Sequence, residues 1–370
     1  MDFTTSYDEV IAIIHKINPI AYGKTRNYLN GDVTKLSPYI ARGVISTKQI
    51  AKIVLAKGYE LKDIEPFLKQ LAWRDYFQQV WMVLKDEIYT DIKQPQPNFA
   101  HQEISSAILL ANTGIVAVDN GILSLQKFGY IHNHMRMYIA SIACNISKNH
   151  WLAPAKWMYY YLLDADWGSN ALSWQWVAGS FSNKKYFANQ DNINKYCETN
   201  QIDTFLAIPY EEFDNINMPE ILNEHVVLNL QTNLPKSKEV LIINKDLPTY
   251  IYNFYNLDPN WDMEIKANRI LLLSPKFFQK YPVADQTIEF ILKLSRNISN
   301  IQLFVGEFDA LLAQINPENI NYKEHPTNTG YKGKMHHREW MFEEVKGYLP
   351  SFFAYWKKCI KYFDSTFPKL

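Results

Sequence analysis

Residues 162–176 read Leu-Leu-Asp-Ala-Asp-Trp-Gly-Ser-Asn-Ala-Leu-Ser-Trp-Gln-Trp. This stretch brings together the carboxylates of Asp164 and Asp166, the amide of Asn170 and three indoles. Carboxylates and amides hydrogen-bond to the polar edge of a heterocycle, whereas indoles stack on aromatic rings or pass single electrons. The stretch therefore indicates a site for a large, redox-active aromatic cofactor.

The composition is that of a globular protein with a large core. The 370 residues suffice for two or three domains, and 47% of them are hydrophobic. The formal net charge is zero, which argues against a protein that coats nucleic acid non-specifically. The three cysteines, Cys144, Cys197 and Cys359, are widely spaced, contain no CxxC pair and are typical of a reducing compartment.

The sequence offers no sign of export, of a membrane or of a metal. Residues 1–5 lack the basic and apolar pattern of a signal peptide, and no apolar run is long enough to span a bilayer. His132 and His134 could suggest a metal, but no third ligand is in view. We expect a soluble, cytoplasmic protein without a metal site and without membrane association.

Hydrophobic periodicity predicts helices throughout the first 200 residues. Apolar residues recur at helical spacing, and Ser46 and Thr47 read as the cap of a helix. The alternating patterns and two-residue turns of a β protein are missing. The predicted helices cover residues 8–17, 46–56 and 65–87, and others begin near Ser105, Gly121, Ile131 and Pro154.

The character of the sequence changes after about residue 205. Residues 206–238 are polar and Asn-rich and read as a connector with a short helix. Three apolar runs then predict buried strands at residues 240–243, 270–273 and 303–305. A helical pattern at residues 285–294 suggests a βαβ unit with a parallel sheet, and a helical tail broken at Pro350 follows at residues 339–363.

The predicted fold class is therefore mainly α, with a small α/β region behind an all-helical domain. We place the helical domain at residues 1–205, the connector at residues 206–238, and the α/β region with its helical tail at residues 239–370. No internal repeat interrupts this organisation.

Three further motifs precede the opening stretch, and together the four motifs carry a family resemblance. Residues 1–200 resemble the helical flavin-binding domain of the photolyase and cryptochrome family. The motifs are Tyr22 with Val33-Thr34-Lys35-Leu36-Ser37-Pro38-Tyr39, then Gln70-Leu71-Ala72-Trp73-Arg74-Asp75-Tyr76, then Gly129-Tyr130-Ile131-His132-Asn133-His134-Met135-Arg136-Met137.

The resemblance implies FAD as the cofactor. It assigns the diphosphate to the loop and helix start at residues 33–37, where hydroxyls and backbone N–H groups suit an anion. It pairs Asp164 with Arg136 across the isoalloxazine ring, turns Asn170 towards the flavin N5 and brings Asp166 to the ring edge or the ribityl chain. The implied cofactor-binding set is Tyr22, Val33, Thr34, Lys35, Leu36, Ser37, Phe67, Gln70, Arg74, Asn133, Arg136, Asp164, Asp166 and Asn170.

The resemblance also implies a chain of tryptophans that carries electrons to the flavin. Trp174 takes the position of the first donor and Trp151 that of the second. The third normally lies in the region that here reads Pro-Gln-Pro-Asn-Phe at residues 95–99, without a tryptophan. Either the chain ends early, or another ring such as Trp81, Trp157 or a tyrosine takes over.

The residues that would meet DNA point to two different lesions. Trp73 corresponds to the family residue that packs against a flipped-out pyrimidine dimer. Gln70 stands where cyclobutane-dimer photolyases have glutamate and (6-4) photolyases have glutamine, whereas Asn133 and Met137 follow the dimer-photolyase pattern. The implied DNA-binding residues are Trp73, Met137 and Trp176, with Trp176 either lining the lesion cavity or packed in the core.

Three functions follow from these assignments. The first is light-driven, FAD-dependent repair of UV-induced pyrimidine lesions in DNA by a lyase, with Gln70, Trp73, Asn133, Asn170, Trp174 and Trp151 as the catalytic set. The second is a cryptochrome-like blue-light sensor, which Gln70 favours and Asn170 disfavours. The third, thermal redox chemistry on FAD, ranks last because no GxGxxG motif is present.

An antenna chromophore is doubtful. Family members usually begin with a parallel α/β domain that binds such a pigment, whereas here a small α/β segment follows the helical part at about residues 235–330. That segment is either a relocated counterpart of the antenna domain or a stabilising cover. No residue in it indicates a pigment.

Overall fold

The computed structural model describes residues 2–236, 241–315 and 317–368. Helices dominate the first 200 residues, as the periodicity predicts, and Ser46 caps its helix by accepting a hydrogen bond from the Gln49 N–H at 2.9 Å. None of the described helices is both long and apolar enough to cross a lipid bilayer. The α-helices are α1 (Tyr7–His15), α2 (Pro19–Thr25), α3 (Ser37–Ala41), α4 (Thr47–Leu55), α5 (Leu61–Leu84), α6 (Ser106–Leu109), α7 (Val116–Phe128), α8 (Asn133–Ser141), α9 (Leu152–Tyr161), α10 (Trp167–Ala178), α11 (Gln190–Cys197), α12 (Pro275–Lys280), α13 (Asp285–Ser295), α14 (Phe308–Leu312), α15 (Phe352–Cys359) and α16 (Phe363–Thr366).

The strands form a small antiparallel sheet and a larger parallel sheet within the described residues. The strands are β1 (Ile104–Ser105), β2 (His225–Val226), β3 (Thr249–Tyr252), β4 (Asn268–Leu273), β5 (Ile301–Val305), β6 (Ile320–Lys323) and β7 (Lys334–His336). β1 pairs with β2, and the five strands of the parallel sheet follow the order β5-β4-β3-β6-β7. The predicted strands at residues 270–273 and 303–305 are confirmed as β4 and β5.

The strand predicted at residues 240–243 is wrong in its described part. Val240 lies outside the described residues, and residues 241–243 are not in a strand. The backbone of Ile242 instead bonds to the side chain of Gln302, donating to Oε1 and accepting from Nε2, each at 2.8 Å. The strand that completes the sheet is β3, whose four residues Thr-Tyr-Ile-Tyr are all buried.

The chain forms two compact units. The first comprises Met1–Ile20, Thr34–Lys85 and Gln231–Leu370, and the second comprises Ala21–Val33 and Asp86–Leu230. Residues 1–205, predicted as one helical domain, therefore contribute to both units, and the α/β region belongs to the first. Most of the predicted connector belongs to the second unit, where β2 pairs with β1.

Aromatic side chains pack where the strand order of the parallel sheet reverses, beyond the carboxyl ends of β3 and β6. Sheets of this kind commonly bind ligands at that place. Here the Tyr255 ring stacks on His325 with centroids 4.0 Å apart, and Trp81 meets His325 edge-on at 5.0 Å. The Arg42 guanidinium lies 3.6 Å from the centroid of Phe254. Burial lowers the pKa of His325 well below its ordinary value, so the ring is neutral at pH 7.

The C-terminal segment packs along α5. Trp73 stacks on Phe352 with ring centroids 3.8 Å apart and planes 10° from parallel. The Trp356 indole N–H donates to Glu65 at 2.9 Å. The predicted tail helix is wrong in its first half, because residues 339–350 form no helix and α15 begins only beyond Pro350.

A buried carboxylate holds three segments of the first unit together. Asp75, on α5, accepts hydrogen bonds from the Thr47 hydroxyl at 2.9 and 3.0 Å and from the Met341 N–H at 2.8 Å. Burial raises the pKa of Asp75 to about 6, although these hydrogen bonds and the nearby Arg338 and Arg74 oppose the rise. The folded protein therefore binds this proton more tightly than the unfolded chain does.

We expect Asp75→Asn to change how stability depends on pH. The stabilisation from protonated Asp75 is fully present below its ordinary pKa of 3.8 and is lost as the pH rises through about 6. Relative to Asp75→Asn, the wild type should lose about 2 kcal/mol of unfolding free energy between pH 4 and pH 7, measured by urea denaturation. Asp246→Asn, an exposed control, should show no such trend. Parallel pH curves for wild type and Asp75→Asn would contradict the assignment.

Candidate functional site

A close backbone approach positions Asp164 in the second unit. α7 ends at Gly129, whose φ of +66° is in the left-handed region that favours glycine. The Leu163 N–H donates to the Gly129 carbonyl at 2.8 Å, and a Cβ at Gly129 would come within 2.6 Å of the Leu163 side chain. Because Leu163 is held against Gly129, the residue that follows it, Asp164, lies beside the start of α8.

Arg136 and Asp164 form a buried ion pair, as the resemblance implies. Arg136 Nη2 donates to both carboxylate oxygens of Asp164, at 3.0 and 3.1 Å, and Nε donates to the Ile131 carbonyl at 3.1 Å. The Asp164 side chain is only 4% exposed. Within the described residues the remaining Nη1 amino group of Arg136 forms no hydrogen bond, so its N–H donors are available to a ligand.

Two polar side chains of the opening stretch are fixed by the backbone around them. Asp166 caps α10 by accepting from the Ser169 N–H at 3.2 Å and the Ser169 hydroxyl at 3.0 Å. Asn170 is buried, and its amide nitrogen donates to the Ala155 carbonyl at 2.8 Å. An amide carries two N–H bonds, so this contact orients the group and leaves a second donor.

The histidines of the third motif have structural partners. His132 caps α8, with Nδ1 accepting from the His134 N–H at 3.1 Å, and His134 Nδ1 lies 2.9 Å from the Asn27 carbonyl oxygen. Among the described residues, no three His, Cys, Asp or Glu side chains come together as a metal would require. Asn133 is exposed and Met137 is half-buried one turn further along α8.

The predicted electron-carrying tryptophans are both in the second unit and both buried, Trp174 at 2% and Trp151 at 0% exposure. The Trp151 indole N–H donates to Asp91 at 2.7 Å. Trp176 is 41% exposed and lies against Tyr186 at a centroid distance of 5.7 Å, so it is not a core residue.

The structure leaves Trp81 and Trp157 without a ring contact to Trp151 among its described contacts. Trp81 lies in the first unit and meets Tyr255, Tyr281 and His325, whereas Trp157 meets Tyr161 at 6.2 Å. The indole nearest Trp151 is Trp167, at 6.5 Å, which the sequence places in the opening stretch without revealing its role.

The predicted phosphate loop lies across the boundary of the two units in sequence. Tyr22 and Val33 belong to the second unit, and burial raises the pKa of Tyr22. In the first unit the Thr34 hydroxyl accepts from the Leu36 N–H at 3.4 Å, while Lys35 has a φ of +52°. α3 begins at Ser37 and has only five residues, so its dipole is small. For binding an anion, the hydroxyls of Thr34 and Ser37 matter more.

α5 of the first unit carries the remaining predicted residues. Phe67, Gln70 and Arg74 follow helical spacing and share one face, with Phe67 buried and the other two half-buried. Trp73 also lies on α5, but Phe352 covers one face of its ring. The sequence gives no signal for this contact, because the two residues are far apart in the chain and the prediction placed no helix start at Phe352.

The comparisons with known proteins agree with the resemblance. Residues 67–209 match the family described as the FAD binding domain of DNA photolyase. A deoxyribodipyrimidine photo-lyase of Alkalihalophilus pseudofirmus is 32% identical over 148 residues, which cover 39% of this chain and 31% of that protein. Cryptochrome-1 of Arabidopsis thaliana is 24% identical over 192 residues, which cover 47% and 27%.

A solved cryptochrome structure from Synechocystis sp. PCC6803 aligns with a TM-score of 0.48 and 24% identity, covering 53% of this chain and 44% of that one. The chain spans about a third of the length of the curated photo-lyase that it matches at 32% identity.

Residues 67–209 therefore form an FAD-binding domain of the photolyase type. This domain is similar to those of the photolyase and cryptochrome family, and its cofactor is FAD. The side chains fit the group: the open Nη1 donors of Arg136 and the second amide N–H of Asn170 are suited to the acceptor atoms of a flavin ring.

Asp164→Asn tests whether the ion pair supports both folding and cofactor binding. It removes the charge that Arg136 requires, so the free energy of unfolding should fall by about 1–3 kcal/mol, less than for a fully buried pair because Arg136 is 21% exposed. FAD per chain, read from the absorbance of the purified protein, should fall with it.

Glu289→Gln is the matched control, because its partner Lys293 is 3.8 Å away and both side chains are more than half exposed. This control should stay within about 0.5 kcal/mol of the wild type and keep its FAD. An Asp164→Asn protein with full FAD and unchanged stability would show that the pair has no such role.

Proposed function

We propose that this protein repairs UV-induced pyrimidine lesions in DNA with blue light, as an FAD-dependent carbon–carbon lyase. The observation that carries the proposal is the buried Arg136–Asp164 pair followed by the oriented amide of Asn170, within a domain whose curated relatives include several photo-lyases. FAD, when bound, supplies the photochemistry by absorbing light and exchanging single electrons.

The residues of the chain have positioning and electrostatic roles in this proposal. Arg136 and Asn170 would donate hydrogen bonds to the flavin ring when FAD is bound, and Asp164 keeps Arg136 in place. Thr34 and Ser37 are the proposed phosphate ligands, since a hydroxyl group can donate a hydrogen bond to an anion. Lesion recognition requires that the damaged bases leave the DNA stack, which costs least where base pairing is already impaired.

The polar side chains that we propose for contact with the lesion are neutral amides. Gln70 is half-buried, and its amide both donates and accepts, so it can read the edge of a pyrimidine without a charge. Asn133 is exposed at the start of α8 and has the same capacity. Each of these amides is neutral and is suited to a neutral base edge, which cyclobutane dimers and (6-4) products both offer.

The repair assay uses the FAD-loaded, reduced protein with oligonucleotides that carry one cyclobutane dimer or one (6-4) product. We expect blue light to restore the bases of one of the two substrates, detected by chromatography, with no repair in the dark. Failure with both lesions, in a protein that still binds FAD and responds to light, would reject repair in favour of sensing.

A cryptochrome-like sensor is the second candidate, and the Trp73–Phe352 stack favours it. The ring that would receive a flipped-out base is already stacked at 3.8 Å by a side chain that is only 2% exposed. A repair enzyme must displace Phe352 or use the other face of Trp73, whereas a sensor need do neither.

Phe352→Ala separates these candidates. If the protein repairs DNA, opening the Trp73 ring should tighten binding of lesion-containing DNA by about tenfold, the equivalent of one aromatic stacking contact. Fluorescence anisotropy with damaged and undamaged oligonucleotides measures this. Phe353→Ala is the control, because Phe353 is 72% exposed on the same helix and should not alter binding. Equal affinities for wild type and Phe352→Ala would argue against Trp73 as the lesion platform.

Trp174→Phe tests the light response that repair and sensing share. The substitution keeps an aromatic ring in a buried position but removes the readily oxidised indole, so photoreduction of FAD should be abolished or greatly slowed while FAD stays bound. Absorbance under blue light measures the rate. Trp261→Phe is the control, since Trp261 is also buried but belongs to the α/β region and has no proposed role in electron transfer. An unchanged rate in Trp174→Phe would refute its assignment as first donor.

We propose that the α/β region is a stabilising cover rather than a pigment-binding domain. The place where its strand order reverses is filled by Tyr255, His325, Phe254 and by Arg42 and Trp81 of the helical segments in the same unit. A pigment there would have to replace these stacked rings and the buried guanidinium.

A further inference from the structure

The surroundings of Trp151 differ from those of a simple electron relay. Its ring is 0% exposed, and its indole N–H donates to Asp91 Oδ1 at 2.7 Å. That bond is at the short end for an N–H donor, as expected when the acceptor is charged. Trp356 and Trp340 also donate to carboxylates, but both lie in the first unit, whereas Trp151 is in the second unit with Trp174.

The Asp91 carboxylate is held in the orientation that this bond needs. Its second oxygen, Oδ2, accepts from the Gln96 N–H at 2.8 Å, and the side-chain oxygen of Gln96 accepts from the Trp151 backbone N–H at 2.8 Å. Asp91 thus binds the ring of Trp151, and Gln96 binds its backbone. Gln96 also belongs to residues 95–99, where the resemblance places a third tryptophan that this sequence lacks.

The side chain next to Asp91 is the imidazole of His150. His150 Nε2 lies 3.4 Å from Asp91 Oδ1, and burial lowers the pKa of His150 although Asp91 opposes the change. His150 is therefore mostly neutral at pH 7 and places no full positive charge against the Asp91 carboxylate. The Asp91 side chain is 18% exposed, so it can exchange a proton with solvent.

We propose that Asp91 is the proton acceptor that ends the electron-transfer chain at Trp151. This inference rests on the proposed light response, in which Trp174 would lose one electron to bound FAD under blue light. Trp151 then gives one electron to the oxidised Trp174, and the N–H bond of Trp151 breaks as its proton moves to Asp91 Oδ1. The products are a neutral indolyl radical, a neutral carboxylic acid and restored Trp174.

Burial explains why this step would trap the radical. An indole radical cation at 0% exposure would be a charge shielded from water, which is costly. Transfer of the proton over a bond of 2.7 Å removes both that positive charge and the negative charge of Asp91. Return of the electron then requires return of the proton, and this coupling slows recombination.

The structure also offers a competing route. Trp167 lies 6.5 Å from Trp151 and stacks on Tyr89 at 5.1 Å, and Tyr89 is partly exposed. If the radical moved on to these rings, Asp91 would be only a structural acceptor. The two routes differ in which substitution removes the long-lived radical.

Flash photolysis of the FAD-loaded protein tests the proposal, because cationic and neutral indole radicals absorb differently in the visible range. In the wild type we expect the cation to convert to the neutral radical, more slowly in D2O. Asp91→Asn keeps a hydrogen-bond acceptor but loses the base, so conversion should slow on the order of a hundredfold. Asp91→Glu should restore part of the rate.

Asp203→Asn is the control, since Asp203 is exposed in the same unit and its positive φ is tolerated by asparagine. It should leave the kinetics unchanged. An unchanged conversion rate in Asp91→Asn, or loss of the long-lived radical in Trp167→Phe, would overturn the role of Asp91 while leaving the light response intact. If the wild type formed no indole radical at all, the proposed light response would fail, and this inference with it.

Discussion

The constraint on which the structure depends is the need to satisfy carboxylates that the chain buries. Asp75 in the first unit and Asp164 in the second are each surrounded by donors from distant parts of the sequence. A buried carboxylate without partners is costly, so only chain arrangements that bring those donors in are stable. Asp75 therefore fixes α4, α5 and the segment around Met341 together, and Asp164 fixes the turn before α10 against α8.

The same constraint explains why the α/β region and the helices α3–α5 form one unit. Met341 lies beyond the last strand, so its bond to Asp75 returns the chain to α5 after the sheet is complete. From there the aromatic residues of α15 pack along α5. The sheet contributes at its other end, where Tyr255 and His325 pack against Arg42 and Trp81. The α/β region is thus part of the core of a helical unit.

Local patterns predicted the helices and two strands of the parallel sheet because burial imposes a period or an unbroken apolar run. They missed β3, β6 and β7. β3 was missed because Thr249 and its two tyrosines read as less apolar than the run at residues 240–243. The tyrosines are nevertheless buried because their hydroxyls have partners, Asp262 for Tyr250 and Arg269 for Tyr252. Such compensation depends on the fold and leaves no mark in a hydrophobicity pattern.

The contacts of the candidate site likewise fall into those that the sequence predicts and those that it does not. The Arg136–Asp164 pair follows from motifs, because two short, well-spaced segments carry it. Asp91 and Phe352 could not be predicted, since each acts on a ring 60 residues or more away and neither lies in a motif. Contacts of this kind come from the tertiary packing of the chain, which short motifs do not record.

The Trp73–Phe352 contact shows how such packing bears on function. Displacing Phe352 forfeits one stacking contact and part of a buried phenyl ring, about 2–4 kcal/mol together. A base that stacks in its place returns about 1–3 kcal/mol. The two quantities nearly balance, so in a protein that repairs DNA, as proposed, the contact would weaken lesion binding without blocking it. Undamaged bases cost more to extrude from DNA, so for them stacking on Trp73 would not repay the displacement of Phe352. Phe352 would then favour bases that leave the stack easily.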